Sequence, residues 1–233
     1  MSHQEILDHL HSLADNERAQ LSMRFFKTAA GEYGAGDKFL GIPVPVIRLA
    51  VKKFSDATLG TAQKLLKSEF HEIRLFALLL LVSRYTKGDA AERGEIYQLY
   101  LDNTRYINNW DLVDSSAPYI VGAYLHDQDK SILYELAKSK SLWERRIAVL
   151  ATFWFIRDQQ FDDALRIAAL LRNDPEDLIH KAVGWMLREI GKRNLDAEVG
   201  FLDEHYRHMP RTMLRYAIEK FCEPLRQKYL RKR

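Results

Sequence analysis

Apolar residues recur along most of the chain at steps of three and four. In SLWERRIAVLATFWFI, residues 141–156, the positions Leu142, Ile147, Leu150, Ala151 and Trp154 keep that spacing. In DLIHKAVGWMLREIGK, residues 177–192, Leu178, Ala182, Trp185 and Leu187 or Ile190 keep it again. A stripe at this period is the buried face of an amphipathic helix, and no stretch alternates apolar and polar positions as a half-buried strand would. The punctuation agrees: Asp174-Pro175 and Gly191 bracket one helix, Met209-Pro210 opens another, and Gly88-Asp89 separates two more. The pattern predicts an all-α fold.

The helical segments also resemble one another. IRLFALLLL, ERRIAVLAT, IHKAVGWML and LRYAIEKF align on Ala77, Ala148, Ala182 and Ala217, at intervals of 71, 34 and 35 residues. The first interval is two periods, and the skipped unit is WDLVDSSAPYIVG with its Ala117. A small residue recurring at such a period, with helices throughout, predicts a stack of helix pairs, an α-solenoid running as one domain over residues 1–233. The alternative is an irregular helical bundle with chance similarity. A solenoid is curved, and its inner helices line a concave groove suited to an elongated partner. Arg74, Arg145, Arg146, Lys181 and Arg215 lie close to the shared alanines. They would add positive charge to that face, unless they are ordinary solvated helix surface.

Composition narrows the class. With 233 residues and 47% apolar content the chain can bury a substantial core. The N-terminus, MSHQEILDHLHSL, lacks the basic start and unbroken apolar core of a secretion signal, and the longest apolar run, Leu75 to Val82, is too short to span a bilayer, so a cytoplasmic protein is expected. The single cysteine, Cys222, has no partner for a disulfide or a Cys-x-x-Cys zinc site and is expected to be a small buried apolar residue. The net charge of +3 is modest. It is unevenly spread, because residues 205–233 hold nine Lys or Arg against two Glu, leaving the rest net acidic. A surface for a polyanion would therefore be a local stripe.

INNWDLVDSSAP, residues 107–118, carries the candidate chemistry. Asn108 or Asn109 is a good N-cap, which puts Trp110 and Asp111 in the first turn of a helix, where a negative Asp111 complements the helix dipole. Asp114 lies beyond that turn and shares a face with Trp110 at i, i+4. Pro118 lacks the N–H that would bond to the carbonyl of Asp114, so a kink is expected beside this carboxylate. An acid beside an indole at a helix bend is a candidate site. The competing explanation is a salt bridge or cap to a neighbouring helix, for instance through Arg145 or Arg146. Trp143 and Trp185 are explained by packing, although an indole face can also meet a cation or a sugar. GEYGAG, residues 31–36, has the wrong glycine spacing for a dinucleotide fingerprint. His205 and His208 lack the further ligands of a zinc protease, and Ser115 and Ser116 have no histidine nearby in sequence.

Four dispersed stretches, FLGIPVPVIR (residues 39–48), NNWDLVD (108–114), LWERRIAVL (142–150) and KAVGWMLRE (181–189), resemble in order the bacterial DNA alkylation repair family, the HEAT-like-repeat DNA glycosylases. The resemblance implies an all-helical superhelix whose concave basic face holds duplex DNA. It also implies hydrolysis, without metal or other cofactor, of the N-glycosidic bond of cationic alkylated purines such as 3-methyladenine and 7-methylguanine. Carried over by motif, the catalytic aspartate falls on Asp114, the two cleft tryptophans on Trp110 and Trp185, and a DNA-contacting arginine on Arg146. Arg145, Lys181, Arg188, Arg48 and Arg215 complete the expected DNA-binding set, and a monomer is expected. In this reading the carboxylate stabilises an oxocarbenium-like sugar as an already cationic base departs, with the base left largely within the duplex. Two positions depart from the family pattern: Asn109 stands where an aromatic is usual, and Phe25 where some members carry a cleft tyrosine. The family includes branches that bind DNA or branched DNA without excising bases, so a noncatalytic DNA-structure binder is the first alternative and a protein-interaction scaffold the second.

Overall fold

The computed structural model describes residues 2–231, and among them the chain is helical throughout, an isolated bridge between Lys38 and Phe70 being the one extended pairing. Two residues of the basic C-terminal stretch, Lys232 and Arg233, lie outside the described residues. Contacts divide the chain into two compact units, Met1–Ser116 and Ala117–Arg233.

The first unit contains α1 (His3–Ser12), α2 (Asn16–Phe25), α3 (Val44–Lys53), α4 (Leu59–Leu66), α5 (His71–Lys87), α6 (Ala90–Asp102) and α7 (Trp110–Asp114). Their starts follow from capping chemistry: the side chains of Ser2, Asp15, Thr58 and Asp89 each accept a hydrogen bond from a backbone N–H of the first turn. Helix α5 is different. It is buried nearly all round from His71 to Leu81, which makes it the central helix of the unit, with α3, α4, α6 and α7 packed against it. The FLGIPVPVIR stretch is fastened to its first turn. Buried Glu72 accepts from the backbone N–H groups of Leu40, Gly41 and Ile42 at 2.8, 2.7 and 3.3 Å. Gly41 is obligatory there, because its φ is +79° and a Cβ would stand 2.1 Å from the carbonyl oxygen of Asp15.

The second unit opens with a π-helical turn (Pro118–Gly122) and continues through α8 (Ala123–Leu125), α9 (Ser131–Leu136), α10 (Leu142–Arg157) and α11 (Asp162–Leu170). It then adds α12 (Asp177–Gly191), α13 (Leu195–His205), α14 (Arg211–Ala217) and α15 (Glu223–Leu230). The π-helical turn, α10, α12 and α14 pack side by side in sequence order; α9 lies against α10, α11 against α10 and α12, and α13 against α12. This is the helical repeat that the alignment predicts. Ala77, Ala117, Ala148, Ala182 and Ala217 are all fully buried. Glycines let these side-by-side elements approach closely: a Cβ on Gly122 would meet the carbonyl oxygen of Ala151 at 2.2 Å, and one on Gly184 that of Met213 at 2.4 Å.

The repeat is also visible in how its helices begin. Ser68, Ser139 and Asp174 each accept, through the side chain, from the N–H two residues on, at 3.1, 3.0 and 2.9 Å. Their carbonyls accept from the side chain six residues on, Arg74 at 3.0 Å, Arg145 at 3.0 Å and His180 at 2.5 Å. Counted from these starts, Val183 occupies in α12 the position of Ala77 in α5 and Ala148 in α10, one residue beyond the aligned Ala182. Cys222 is exposed, just before α15, and not the buried residue expected from its isolation. Among the described residues no helix is long and apolar enough to cross a membrane.

Candidate active site

Helix α7 has five residues, too few to hold its own shape in water. What holds it is a buried polar cluster. Asn109 is the N-cap, its side-chain oxygen accepting from the N–H of Trp110 at 2.9 Å. Its amide donates to Asp37 at 3.4 Å, and Asn108 donates to the same carboxylate at 3.3 Å. Arg74 pairs with Asp37 at 2.8 Å. Asp111 faces the ring of His71, Nε2 to Oδ2, at 2.8 Å. The helix-dipole explanation of Asp111 was therefore incomplete, since the carboxylate that suits the first turn also ties α7 to the first residue of α5. Asn109 is fully buried, and its two bonds give the amide a structural role at this position. Burial raises the pKa of Asp37, but the nearby ring of His71 and the charge of Arg74 outweigh it and hold the carboxyl below its usual range.

Aromatic rings cover the other side of this helix start. Phe26 stacks on the indole of Trp110, with centroids 5.4 Å apart and planes 23° apart, and Phe25 meets the same indole edge-on at 5.9 Å. Phe26 and Phe39 both pack against the imidazole of His71, at 4.9 and 4.6 Å, and stack on each other at 5.1 Å. Phe25 itself is 65% exposed. Trp110 is thus packed, with part of its surface left open.

Asp114 ends α7. The expected break beside it is present: the helix stops at this residue, and Pro118 begins the π-helical turn. Leu112 and Val113 anchor α7 in the core, while Asp114 is half-buried. Behind it the fully buried Tyr100 pairs with Ser116, hydroxyl to hydroxyl, at 3.0 Å. Burial raises the pKa of that phenol, and the charge of Asp114 pushes the same way, which puts the carboxylate within electrostatic reach.

The second unit holds the remaining candidates. Trp185 is half-buried on α12, its ring 6.3 Å from Phe153 and its Nε1 donating to Glu189 at 3.3 Å. Arg145 is committed to Asp174 at 2.6 Å and to the carbonyls of Ser139 and Lys140. Buried Arg146 donates to the carbonyl of Leu178, Lys181 pairs with Asp177 at 2.7 Å, and Arg188 pairs with Glu219. Arg48 and Arg215 are exposed. Arg74, counted by sequence among surface cations, is 3% exposed and belongs to the cluster behind α7. Sequence reasoning missed Asp37, His71 and Phe26. A polar Asn-Asn-x-Asp run entering an otherwise apolar helix is the signal that buried partners were needed.

These features define an all-helical repeat protein with an acid and an indole on one anchored turn. Residues 6–221 match the family described as DNA alkylation repair enzyme, and the chain belongs to that family. Its fold is that of a predicted DNA alkylation repair enzyme from Enterococcus faecalis, at a TM-score of 0.71 and 17% identity over 90% of this chain and 97% of that one. AlkD2 from Streptococcus mutans is similar at a TM-score of 0.57 and 21% identity, covering 95% of this chain and 100% of that one. The Streptococcus mutans UA159 protein smu.31 gives 0.56 and 20%, covering 95% and 99%. No curated protein matches the sequence significantly.

Proposed function

We propose that the protein is a metal-independent, monofunctional DNA glycosylase that hydrolyses the N-glycosidic bond of cationic alkylated purines in duplex DNA. The observation that carries this reading is the pairing of half-buried Asp114 with Trp110 on one short helix that a buried cluster holds in place. A cationic purine leaves readily, so what needs stabilising is the positive charge that develops on the deoxyribose. A carboxylate about 4 Å from that sugar contributes on the order of 4 kcal/mol at an effective dielectric near 20, roughly a thousandfold in rate. Asp114 also orients the attacking water. The indole face of Trp110 adds cation–π or stacking contact and excludes solvent.

Phosphate contacts fall first to the exposed Arg48 and Arg215. Arg145, Arg146, Lys181 and Arg188, whose side chains have internal partners, contribute field more than direct contact. The test is excision of 7-methylguanine from a duplex under single-turnover conditions. Wild type is expected to release the base and Asp114→Asn to do so about a thousandfold more slowly. If wild type binds the duplex and releases nothing, the protein is a noncatalytic DNA binder, and if it does neither, a protein partner is the better reading.

A further inference from the structure

The cluster behind α7 contains one tie more than a helix cap requires. Asn108 and Asn109 already join the start of α7 to Asp37. His71 adds a second tie, and the geometry of its ring is unusual. Nε2 stands 2.8 Å from Oδ2 of Asp111, and Nδ1 points at Oδ2 of Asp37 from 3.5 Å, too long for a full hydrogen bond. A neutral imidazole has one N–H and one lone pair. With that form, one of the two carboxylates would face a lone pair inside the core. Only the imidazolium presents an N–H to both.

Charge balance leads to the same answer. The charged groups facing His71 are Asp37 from the segment between α2 and α3, Asp111 from α7 and Arg74 from α5, while the rings of Phe26 and Phe39 pack against the imidazole. With neutral His71 this buried group carries one uncompensated negative charge; with the imidazolium it is neutral, which low-dielectric surroundings favour. Burial works against the charged ring, but the hydrogen bond to Asp111 and the nearby carboxylate of Asp37 more than offset it, and the pKa of His71 is raised above its ordinary value.

We propose that His71 is a positioning residue: as an imidazolium it holds Asp111 and thereby sets α7, with Trp110 and Asp114 on it. The kinetic part of this inference rests on the glycosylase reading; the structural part does not. Asp111 lies one residue after Trp110 and three before Asp114, so a tie at Asp111 acts on both. Because the folded pKa is raised, the tie is intact at lower pH and is released as pH rises through that pKa.

The test uses the full chain labelled with ¹⁵N-histidine and 5-fluorotryptophan, the Trp110 resonance being assigned with Trp110→Phe. At pH 7 both ring nitrogens of His71 are expected to show the shifts of the cation. On raising the pH, the Trp110 signal should move with the same midpoint as His71. In His71→Gln, which keeps a donor to one carboxylate only, Trp110 should be displaced and should no longer titrate. Single-turnover excision of 7-methylguanine should fall roughly 100-fold at neutral pH, without the alkaline loss expected of wild type and with duplex affinity unchanged. Asp111→Asn should lower the His71 midpoint, which keeps the question decidable if His71→Gln fails to fold. A neutral His71 at pH 7, or a Trp110 signal unchanged in His71→Gln, overturns the proposal. Wild type that excises nothing refutes the glycosylase reading alone, because the resonances still decide the tie.

Discussion

At the start of α5 and at the start of α10 the chain builds the same lock and puts it to different uses. In each, an arginine donates to the carbonyl six residues back and to an aspartate from another segment: Arg74 to Asp37 at 2.8 Å, Arg145 to Asp174 at 2.6 Å. In α10 that completes the structure, and Asp174 in turn caps the start of α12, so the lock joins consecutive repeats. In α5 the first residue is His71 where α10 has Leu142, and the substitution extends the lock to Asp111. A device for keeping repeats in register has become, by one side chain, the support of the turn that carries the candidate acid. Helix α12 needs no such support for Trp185, because fifteen residues with a buried apolar face hold their own position.

The largest test of this contrast is the removal of Asp37. Asp37→Ala leaves the cations of Arg74 and His71 facing each other in the core, and a loss of about 3–5 kcal/mol in urea denaturation is expected. Stability from this carboxylate is present above its unfolded pKa and is lost as pH falls through its lowered folded value. Glu198 of α13 behaves oppositely. It is buried, its Oε1 has no partner among the described residues, and burial pushes its pKa up to about 8, with the charge of Arg188 only partly opposing. Its contribution is fully present below the unfolded value near 4.5 and is lost as pH rises through about 8. Glu198→Gln should therefore flatten the fall in melting temperature between those limits and stabilise the protein at pH 9 by about 3 kcal/mol.

Arg145→Ala should cost less than Asp37→Ala, about 2 kcal/mol, because Asp174 keeps its bond to the N–H of Glu176. Equal losses at the two locks would show that the extension through His71 adds nothing. The smallest effect is expected at Arg215, which is exposed. Arg215→Ala should leave stability unchanged and reduce the salt dependence of duplex binding by about one counterion, whereas Arg145→Ala should leave that slope unchanged.

What was legible in the sequence was periodic or local. The shared alanines recur at a period, while the apolar stripes of α10 and α12, the Asn109 cap and the break at Pro118 depend on residues within a few positions of one another, and each is present. Asp114 and Trp110 were legible as a pair for the same reason. The support behind them was not. Asp37, His71, Arg74, Asn109 and Asp111 are scattered over more than seventy residues, and no period links them. Arg74 and Arg145 were read as surface charge because an arginine at a helix start looks the same whether it meets solvent or a buried aspartate. Their burial is decided by Asp37 and Asp174, which only the fold brings near.

The exposed position of Cys222 has a practical side. It is the chain's one cysteine, so a maleimide dye or nitroxide placed there would be a single reporter on an unaltered sequence. Arrival of a duplex on the second unit could then be followed by fluorescence or relaxation enhancement while every arginine, tryptophan and aspartate under discussion remains native.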